Sequence, residues 1–270
     1  MRECDGALTR QGSSGAARFV CPRGHAYDIA REGYVNLLQV QDRKSNSPGD
    51  SKEAVAARRR LFDAGFGKPL LDPLLAMVGG LALPKGSAVL DVGCGEGTFL
   101  GAVAEKFELE GWGVDISTPA IEAAARRHRR EHWVVANADR GLPFADGSFR
   151  IVMTIAGRRH ASEFRRVLAE DGRLVAAVPA EDDLRELRAA LHGNALIIDR
   201  FGPLLSALES SFRLETRKVV RHVARIESKS LLDLLSSTYR GARRSQKESI
   251  ENLDSMDVTT SWTLCSFRPK

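Results

Sequence analysis

The chain has 270 residues, of which 43% are apolar and 28% are charged, with 24 Gly and 10 Pro. This composition is that of a globular protein and excludes a disordered chain, a collagen-like repeat and a coiled coil. No apolar run approaches the roughly 20 residues that a membrane span needs, and the first ten residues contain no apolar signal core. We therefore expect a cytoplasmic protein without a membrane partner. Four Cys are too few for a disulfide scaffold.

The positive charge is concentrated near the amino terminus. Residues 1–60 contain eleven Lys or Arg and seven Asp or Glu, a net charge of +4, whereas the whole chain carries +5. Two interpretations stay open, namely a solubilising surface or a segment that faces an anionic partner such as nucleic acid.

The first 46 residues are rich in Gly, Arg and Ser and predict a small loop-rich module. A turn-forming linker at residues 45–49 follows it. The next segment predicts a helix that Asp50 or Ser51 caps and that ends near Gly65. A second helix is predicted after Pro69.

From residue 87 onward, short apolar strands alternate with helices, which predicts an α/β fold with a mostly parallel sheet and helices on both faces. The tail reads strand, helix, strand and is expected to close one sheet edge in antiparallel fashion. The chain thus divides into a module at 1–46, a helical linker region at 47–86 and a sheet domain at 87–270. The predicted strands of the sheet domain are 88–92, 111–115, 133–136, 149–155, 174–178, 212–226 and 259–267, and the predicted helices include 119–130, 163–169 and 231–239.

A glycine-rich turn follows the first strand of the sheet domain. Gly93, Gly95 and Gly97 lie between this strand and a helix, where glycine lets the backbone approach a ligand. Asp115 ends the second strand, where a carboxylate can accept both hydroxyls of a ribose. A dinucleotide-binding loop would carry a third glycine at position 98, which is Thr98.

This G-x-G-x-G spacing, with Asp91 just before the first glycine, resembles motif I of class I S-adenosylmethionine-dependent methyltransferases. The resemblance implies that the loop wraps the methionine part of S-adenosylmethionine and that residues 137 and 138 contact its adenine. An α/β domain without a nucleotide is the alternative. Cys94 is expected to pack rather than to act as a nucleophile. The expected cofactor-binding residues are Asp91, Gly93, Cys94, Gly95, Glu96, Gly97, Asp115, Asn137 and Ala138.

Cys21 and His25 have the spacing of a metal-chelating pair, and Cys4 is a third candidate ligand for zinc. A structural zinc site needs four ligands, usually in two close pairs, and the partner of Cys4 in a C-x-x-C pair would fall on Met1. Three interpretations stay open: a start codon chosen too late, an oxygen ligand from a neighbouring carboxylate, or a site that no longer holds metal.

Several segments of the amino-terminal region are typical of one family. The pair Cys21 and His25 is followed by YDIAREGYVNLL at 27–38, by PGDS at 48–51 and by LFDAG at 61–65. This series resembles the bacterial 23S rRNA guanine-N1 methyltransferases over nearly the whole chain. The resemblance implies a zinc-binding module joined to a class I methyltransferase domain, with a 23S rRNA hairpin as partner and N1 of a guanine as methyl acceptor.

The chain departs from the family pattern at four places. Three zinc ligands are matched instead of four, and Gly67 stands where an aromatic residue often approaches the cofactor. Residues 155–159 replace an aromatic-Ala-Pro segment beside the target base, and the acidic run 181–183 replaces a His. A small-molecule methyltransferase and a non-catalytic RNA-binding protein are therefore kept as rival interpretations. The oligomeric state stays open, a homodimer included.

Guanine N1 carries a proton, so a base must assist its loss. Asp139 and Asp183 are candidates by position alone, and no other catalytic residue is assigned. RNA loops are held by basic side chains on phosphates. The candidates for that role are Arg23, Arg31, Arg43, Lys44 and residues 58–60.

Overall fold

The structure, a computed structural model, describes residues 7–12, 17–39, 48–193, 197–238, 250 and 252–270. Near the amino terminus, three short strands form an antiparallel sheet in chain order: β1 (Thr9–Gln11), β2 (Arg18–Val20) and β3 (Ala26–Asp28). Phe19 and Tyr27 of this sheet pack against the core of the main domain. The small sheet therefore lies against the body of the protein.

The larger sheet contains eight strands, which are β4 (Val35–Asn36), β5 (Ala88–Val92), β6 (Glu110–Asp115), β7 (His132–Val135), β8 (Phe149–Ile155), β9 (Leu168–Pro179), β10 (Phe212–Glu227) and β11 (Ser255–Pro269). Their spatial order is β10-β11-β9-β8-β5-β6-β7-β4. Neighbours are parallel except where β11 pairs with β9 and β10. The predicted mostly parallel sheet with an antiparallel edge is confirmed.

One strand of this sheet comes from the predicted amino-terminal module. Val35 of β4 pairs with Val134 of β7 in parallel register and is itself buried. The sequence did not predict this pairing, since two residues give no periodicity. The module thus contributes the edge strand next to β7.

Eight helices are assigned within the described residues: α1 (Lys52–Asp63), α2 (Lys68–Gly79), α3 (Thr98–Phe107), α4 (Thr118–Arg127), α5 (Ala161–Val167), α6 (Arg185–His192), α7 (Phe201–Leu208) and α8 (Ser228–Thr238). α2, α3 and α4 pack on one face of the sheet, and α5 and α7 pack on the other. This arrangement confirms the prediction of helices on both faces. α1, α6 and α8 form a third apolar cluster beside the hairpin of β10 and β11.

The first long helix is positioned by its cap. The Ser51 side chain accepts a hydrogen bond from the Ala54 N–H at 3.2 Å, so Ser51 rather than Asp50 is the cap. α1 ends just before Gly65, whose φ of +88° suits glycine. Among the described residues, no helix is long and apolar enough to cross a membrane.

Candidate active site

The glycine turn between β5 and α3 forms one wall of a cavity of about 650 Å³, a size suited to a small-molecule ligand. Gly93, Gly95 and Gly97 all have positive φ, at +83°, +56° and +80°. A Cβ atom on Gly97 would lie 2.4 Å from the ring of Trp133, so this glycine is also required for packing of the turn on β7. The turn therefore exposes backbone to the cavity.

Asp115 holds the glycine turn in place. Its Oδ2 atom accepts a hydrogen bond from the Gly95 N–H at 3.0 Å, and its Oδ1 atom accepts one from the Ser117 N–H at 2.8 Å. Burial raises the pKa of Asp115, while these two N–H groups oppose the rise. Each carboxylate oxygen keeps acceptor capacity for a further donor, and Asp115 lines the cavity.

Asp91 is a buried acid without a partner at the same end of the cavity. It is 1% exposed, and its Oδ1 atom has no hydrogen-bond partner within the described part of the chain. Burial, followed by the nearby Asp115 and Glu96 carboxylates, raises the pKa of Asp91 to about 8. A buried acceptor of this kind favours a ligand that brings a positive charge or an N–H donor.

Arg58 joins α1 to the glycine turn. Its guanidinium donates to Asp50 Oδ2 at 2.6 Å and lies 3.6 Å from Glu96 Oε2. It also donates to the carbonyl oxygen of Ser237 at 3.1 Å. Arg58, one of the candidates for contact with RNA phosphate, thus lines the cavity and is paired inside the protein.

Glu96 and Cys94, both predicted to bind the cofactor, are buried in the turn. The Glu96 carboxylate accepts a hydrogen bond from Thr98 Oγ1 at 3.1 Å and pairs with Arg58. Burial raises the pKa of the Cys94 thiol well above its ordinary value, which suits a packing role. Both residues line the cavity.

Asn137 and Ala138 follow β7 and line the cavity next to the glycine turn. The Asn137 side chain accepts a hydrogen bond from the Asp139 N–H at 3.1 Å, which starts a short 3₁₀ turn. The Asp139 side chain lies 3.4 Å from the Arg158 guanidinium and is not among the residues that line the cavity.

The other end of the cavity, beside the end of β9 and two strands away from β5 in the sheet, contains Asp183, the second predicted base, together with Arg188 and Arg200. The structure thus places Asp183, but not Asp139, in the same cavity as the glycine turn. The two arginines were not singled out from the sequence, because the helices that position them were not predicted. Trp262 of β11 also lines this end.

Comparison with known proteins decides the family. Residues 89–176 match a family model described as a methyltransferase domain, and residues 4–46 match one described as the RlmA amino-terminal zinc ribbon. A protein of Streptomyces fradiae named 23S rRNA (guanine(748)-N(1))-methyltransferase is 34% identical over 215 residues, 78% of this chain and 75% of that protein. The chain belongs to the 23S rRNA (guanine-N1)-methyltransferase family. A provisionally named member from Micromonospora griseorubida is 30% identical over 92% of this chain and 90% of its own length.

Solved structures agree with this family on the fold. A provisionally named methyltransferase from Bacillus halodurans has a TM-score of 0.50 at 19% identity and covers 72% of this chain and 97% of its own. The [4+2]-cyclase SpnF has a TM-score of 0.51 at 19% identity and covers 73% of this chain and 80% of its own. Since SpnF is named a cyclase, the fold alone does not decide the chemistry. Membership of the guanine-N1-methyltransferase family makes this chain an S-adenosylmethionine-dependent methyltransferase.

Two departures from the family pattern have a structural explanation. A Cβ atom on Gly67 would lie 2.8 Å from the Phe62 ring, so Phe62 already occupies the space of a side chain at position 67. A Cβ atom on Gly157 would lie 2.6 Å from the Val92 carbonyl oxygen. Residues 155–158 therefore turn directly over the end of β5, and only glycine fits at 157.

The zinc ribbon of this methyltransferase is described in part. Cys21 Sγ lies 3.4 Å from His25 Nδ1, close to the roughly 3.5 Å that two ligands of one tetrahedral zinc would have. Cys4 lies outside the described residues. Within the described part of the chain, no group of three metal-binding side chains is found. The pair Cys21 and His25 fits two positions of a zinc site.

Proposed function

We propose that this methyltransferase transfers a methyl group from S-adenosylmethionine to N1 of a guanine in a hairpin loop of 23S rRNA. One observation carries the proposal. A single cavity is lined by the glycine turn and its acidic residues at one end and by other polar residues at the other, and it is large enough for two reactants. The family relation supports the RNA substrate, and the Streptomyces fradiae relative bears guanine 748 in its name. The hairpin that contains this nucleotide is therefore the first to test.

The residues at the glycine turn fit S-adenosylmethionine, which when bound supplies a methyl group on a positively charged sulfonium. Asp91, as an orphaned buried acceptor, suits the ammonium of the methionine part. Asp115 suits the ribose hydroxyls, and Asn137 and Ala138 suit the adenine edge. The turn at Gly93, Gly95 and Gly97 brings the backbone close enough for these contacts. These assignments are part of the proposal.

The chain's main contribution to methyl transfer is alignment. An in-line displacement needs the acceptor nitrogen, the methyl carbon and the leaving sulfur on one axis. An enzyme that holds the reactants in this alignment can supply much of the rate enhancement. Phe62, Phe66 and Trp262 line the cavity and give it apolar walls against which the reactants can be held. Non-Gly residues with positive φ occur here at Ala156 (+52°) and Leu184 (+53°), as is common at functional sites.

We further propose that residues 1–46 form the RNA-recognition module, with residues 47–86 as the linker region and 87–270 as the methyltransferase domain. Arg10 and Arg18 on the small sheet are exposed, as is Arg23 in the turn between β2 and β3. Exposed arginines suit contacts with the RNA backbone. The double variant Arg10→Gln, Arg18→Gln should bind the hairpin more weakly and with a shallower salt dependence, while S-adenosylmethionine affinity stays unchanged.

The proposal is tested with a transcribed 23S rRNA fragment that contains the guanine 748 hairpin. The protein and labelled S-adenosylmethionine should yield 1-methylguanosine, identified by mass spectrometry of the digested RNA. The matched control is the same fragment with adenine in place of the target guanine, which should remain unlabelled. Absence of 1-methylguanosine from this fragment and from full-length unmodified 23S rRNA would overturn the proposed function and favour the small-molecule alternative.

A further inference from the structure

The end of the cavity away from the glycine turn contains two guanidinium groups, each with buried donor atoms that are unused. Arg188 is 6% exposed, and its Nε and Nη1 atoms have no hydrogen-bond partner in the described part of the chain. The Nη1 atom of Arg200 is likewise buried and unpartnered within that part. Both side chains line the cavity. Arg188 is tied in place through Nη2, which donates to the Glu181 carbonyl oxygen at 2.8 Å.

Unpartnered buried donors of this kind are unfavourable in a folded protein. Buried N–H groups are nearly always hydrogen-bonded, and a buried donor left without an acceptor destabilises the folded state. Two such groups at one end of one cavity therefore indicate a ligand that brings acceptor atoms. An acceptor on which negative charge develops suits them best, since guanidinium hydrogen bonds are strongest to charged oxygen.

Asp183 faces the same space and is rigidly held. Its Oδ1 atom accepts a hydrogen bond from the Ser261 N–H of β11 at 2.8 Å, and no other hydrogen bond to this carboxylate occurs among the described residues. The Leu184 N–H donates to the Thr259 carbonyl oxygen at 2.7 Å, and the Glu186 carboxylate accepts from the Thr259 N–H at 2.9 Å. The segment that carries Asp183 is thus fixed to β11 from both sides.

Resting on the proposed function, we infer that this end of the cavity is the pocket for the target guanine. In it, Asp183 accepts the N1 proton, and Arg188 and Arg200 hydrogen-bond to O6. A carboxylate oxygen and two guanidinium donors match the donor at N1 and the acceptor at O6 of guanine. Adenine presents the opposite pattern at these two positions, so the pocket also selects guanine.

The balance of the step follows from these contacts. The N1–H bond breaks, and its proton passes to the Asp183 carboxylate. The electron pair on N1 forms the bond to the methyl carbon, and the pair of the broken carbon–sulfur bond stays on sulfur, which leaves neutral S-adenosylhomocysteine. While N1 is deprotonated, negative charge is shared with O6, where Arg188 and Arg200 stabilise it in a buried site.

The charged groups around Asp183 suit a role of its carboxylate as a general base. Burial raises the pKa of Asp183 to about 6, with Asp182 adding to the rise and the charges of Arg200 and Arg188 opposing it. Asp182 is itself paired with Arg221 of β10 at 2.9 Å, and among the described residues β11 donates one hydrogen bond to the Asp183 carboxylate, from the Ser261 N–H. Asp183 is therefore ionised at pH 7 and can take up a proton.

The first test replaces Asp183 by Asn, which keeps the size of the side chain and the acceptor for the Ser261 N–H. With the 23S rRNA fragment, Asp183→Asn should lower kcat at least a hundredfold, the scale of a lost general base, while S-adenosylmethionine affinity stays the same. The rise of kcat with pH through about 6 should also disappear. Asp182→Asn is the matched control, since its carboxylate does not line the cavity, and it should retain activity.

The second test separates the arginines from a structural role. Arg188→Met keeps the apolar stem and removes two unpartnered N–H donors together with the Nη2 hydrogen bond to the Glu181 carbonyl oxygen, so the thermal midpoint should change little while kcat falls at least tenfold. Arg185→Met on the same helix, whose side chain is exposed and paired with Glu186, should leave kcat unchanged. A rise in KM for RNA without a fall in kcat would show that the arginines hold a phosphate instead of O6.

The two proposals fail in different ways. If the wild-type protein forms no 1-methylguanosine, the proposed function is wrong. If the wild type forms it and Asp183→Asn forms it at the same rate with the same pH profile, only the guanine pocket is wrong.

Discussion

Replacing Asp91 by Asn should stabilise the protein in the absence of ligand. The pKa of Asp91 is raised from 3.8 to about 8, so the folded state keeps this carboxyl protonated while the unfolded chain releases the proton. Each pH unit between the two values costs the folded state about 1.4 kcal/mol. The loss amounts to about 3 kcal/mol at pH 6 and about 5 kcal/mol at pH 8. Below pH 3.8 both states bind the proton and the effect vanishes.

Asn at position 91 cannot ionise, so the variant escapes this loss. Urea unfolding of the ligand-free proteins at pH 6 and pH 8 measures the difference in the free energy of unfolding. The gain of Asp91→Asn over the wild type should grow by about 2 kcal/mol between the two pH values. The same variant should bind S-adenosylmethionine at least tenfold more weakly, because the neutral amide cannot pair with the ammonium.

A gain that does not change with pH would refute the protonated state of Asp91. A loss of stability at both pH values would refute its lack of a partner. Either result would also remove the basis for assigning Asp91 to the cofactor ammonium.

Three further predictions concern other parts of the site. Asp115→Ala should weaken S-adenosylmethionine binding at least tenfold by calorimetry, because both the ribose acceptor and the support of the glycine turn are lost; unchanged affinity would contradict the assignment. Gly157→Ala should lower the free energy of unfolding by about 1–3 kcal/mol, since its Cβ would lie 2.6 Å from a carbonyl oxygen. Gly80→Ala is the control and should lower the free energy of unfolding far less, because its Cβ would have no contact below 3.5 Å. Cys21→Ser should reduce the zinc content measured by elemental analysis, because a thiolate ligand is removed; an unchanged zinc content would exclude Cys21 as a ligand.

The glycine turn and the sheet could be predicted from the sequence because both depend on local patterns. Apolar runs of four to seven residues separated by helices predict a parallel sheet, and Gly93, Gly95 and Gly97 suit a turn with positive φ. The β-strand ends then bring Asp91, Asp115 and their neighbours to one edge of the sheet.

The far end of the cavity depends on tertiary contacts that no local pattern contains. Asp182 and Asp183 are adjacent acids, and their different tertiary partners separate them: Asp183 accepts from the Ser261 N–H and lines the cavity, whereas Asp182 pairs with Arg221. Likewise, Arg58 and Arg60 belong to one basic run. Arg58 has a distant partner in Glu96 and Arg60 has one in Asp233 of α8, so the sequence could not tell a buried cation from an exposed one.

The pairing of β4 with β7 has a consequence for synthesis on the ribosome. Val35 emerges about a hundred residues before its partner Val134, an interval of roughly 5–20 s at ordinary elongation rates. Closing so long a loop is entropically unfavourable until β5, β6 and β7 have formed a template. The module made first therefore docks only after β7, at His132–Val135, has been synthesised. Until then, we expect it to depend on a bound metal or on a chaperone to avoid pairing with another nascent chain.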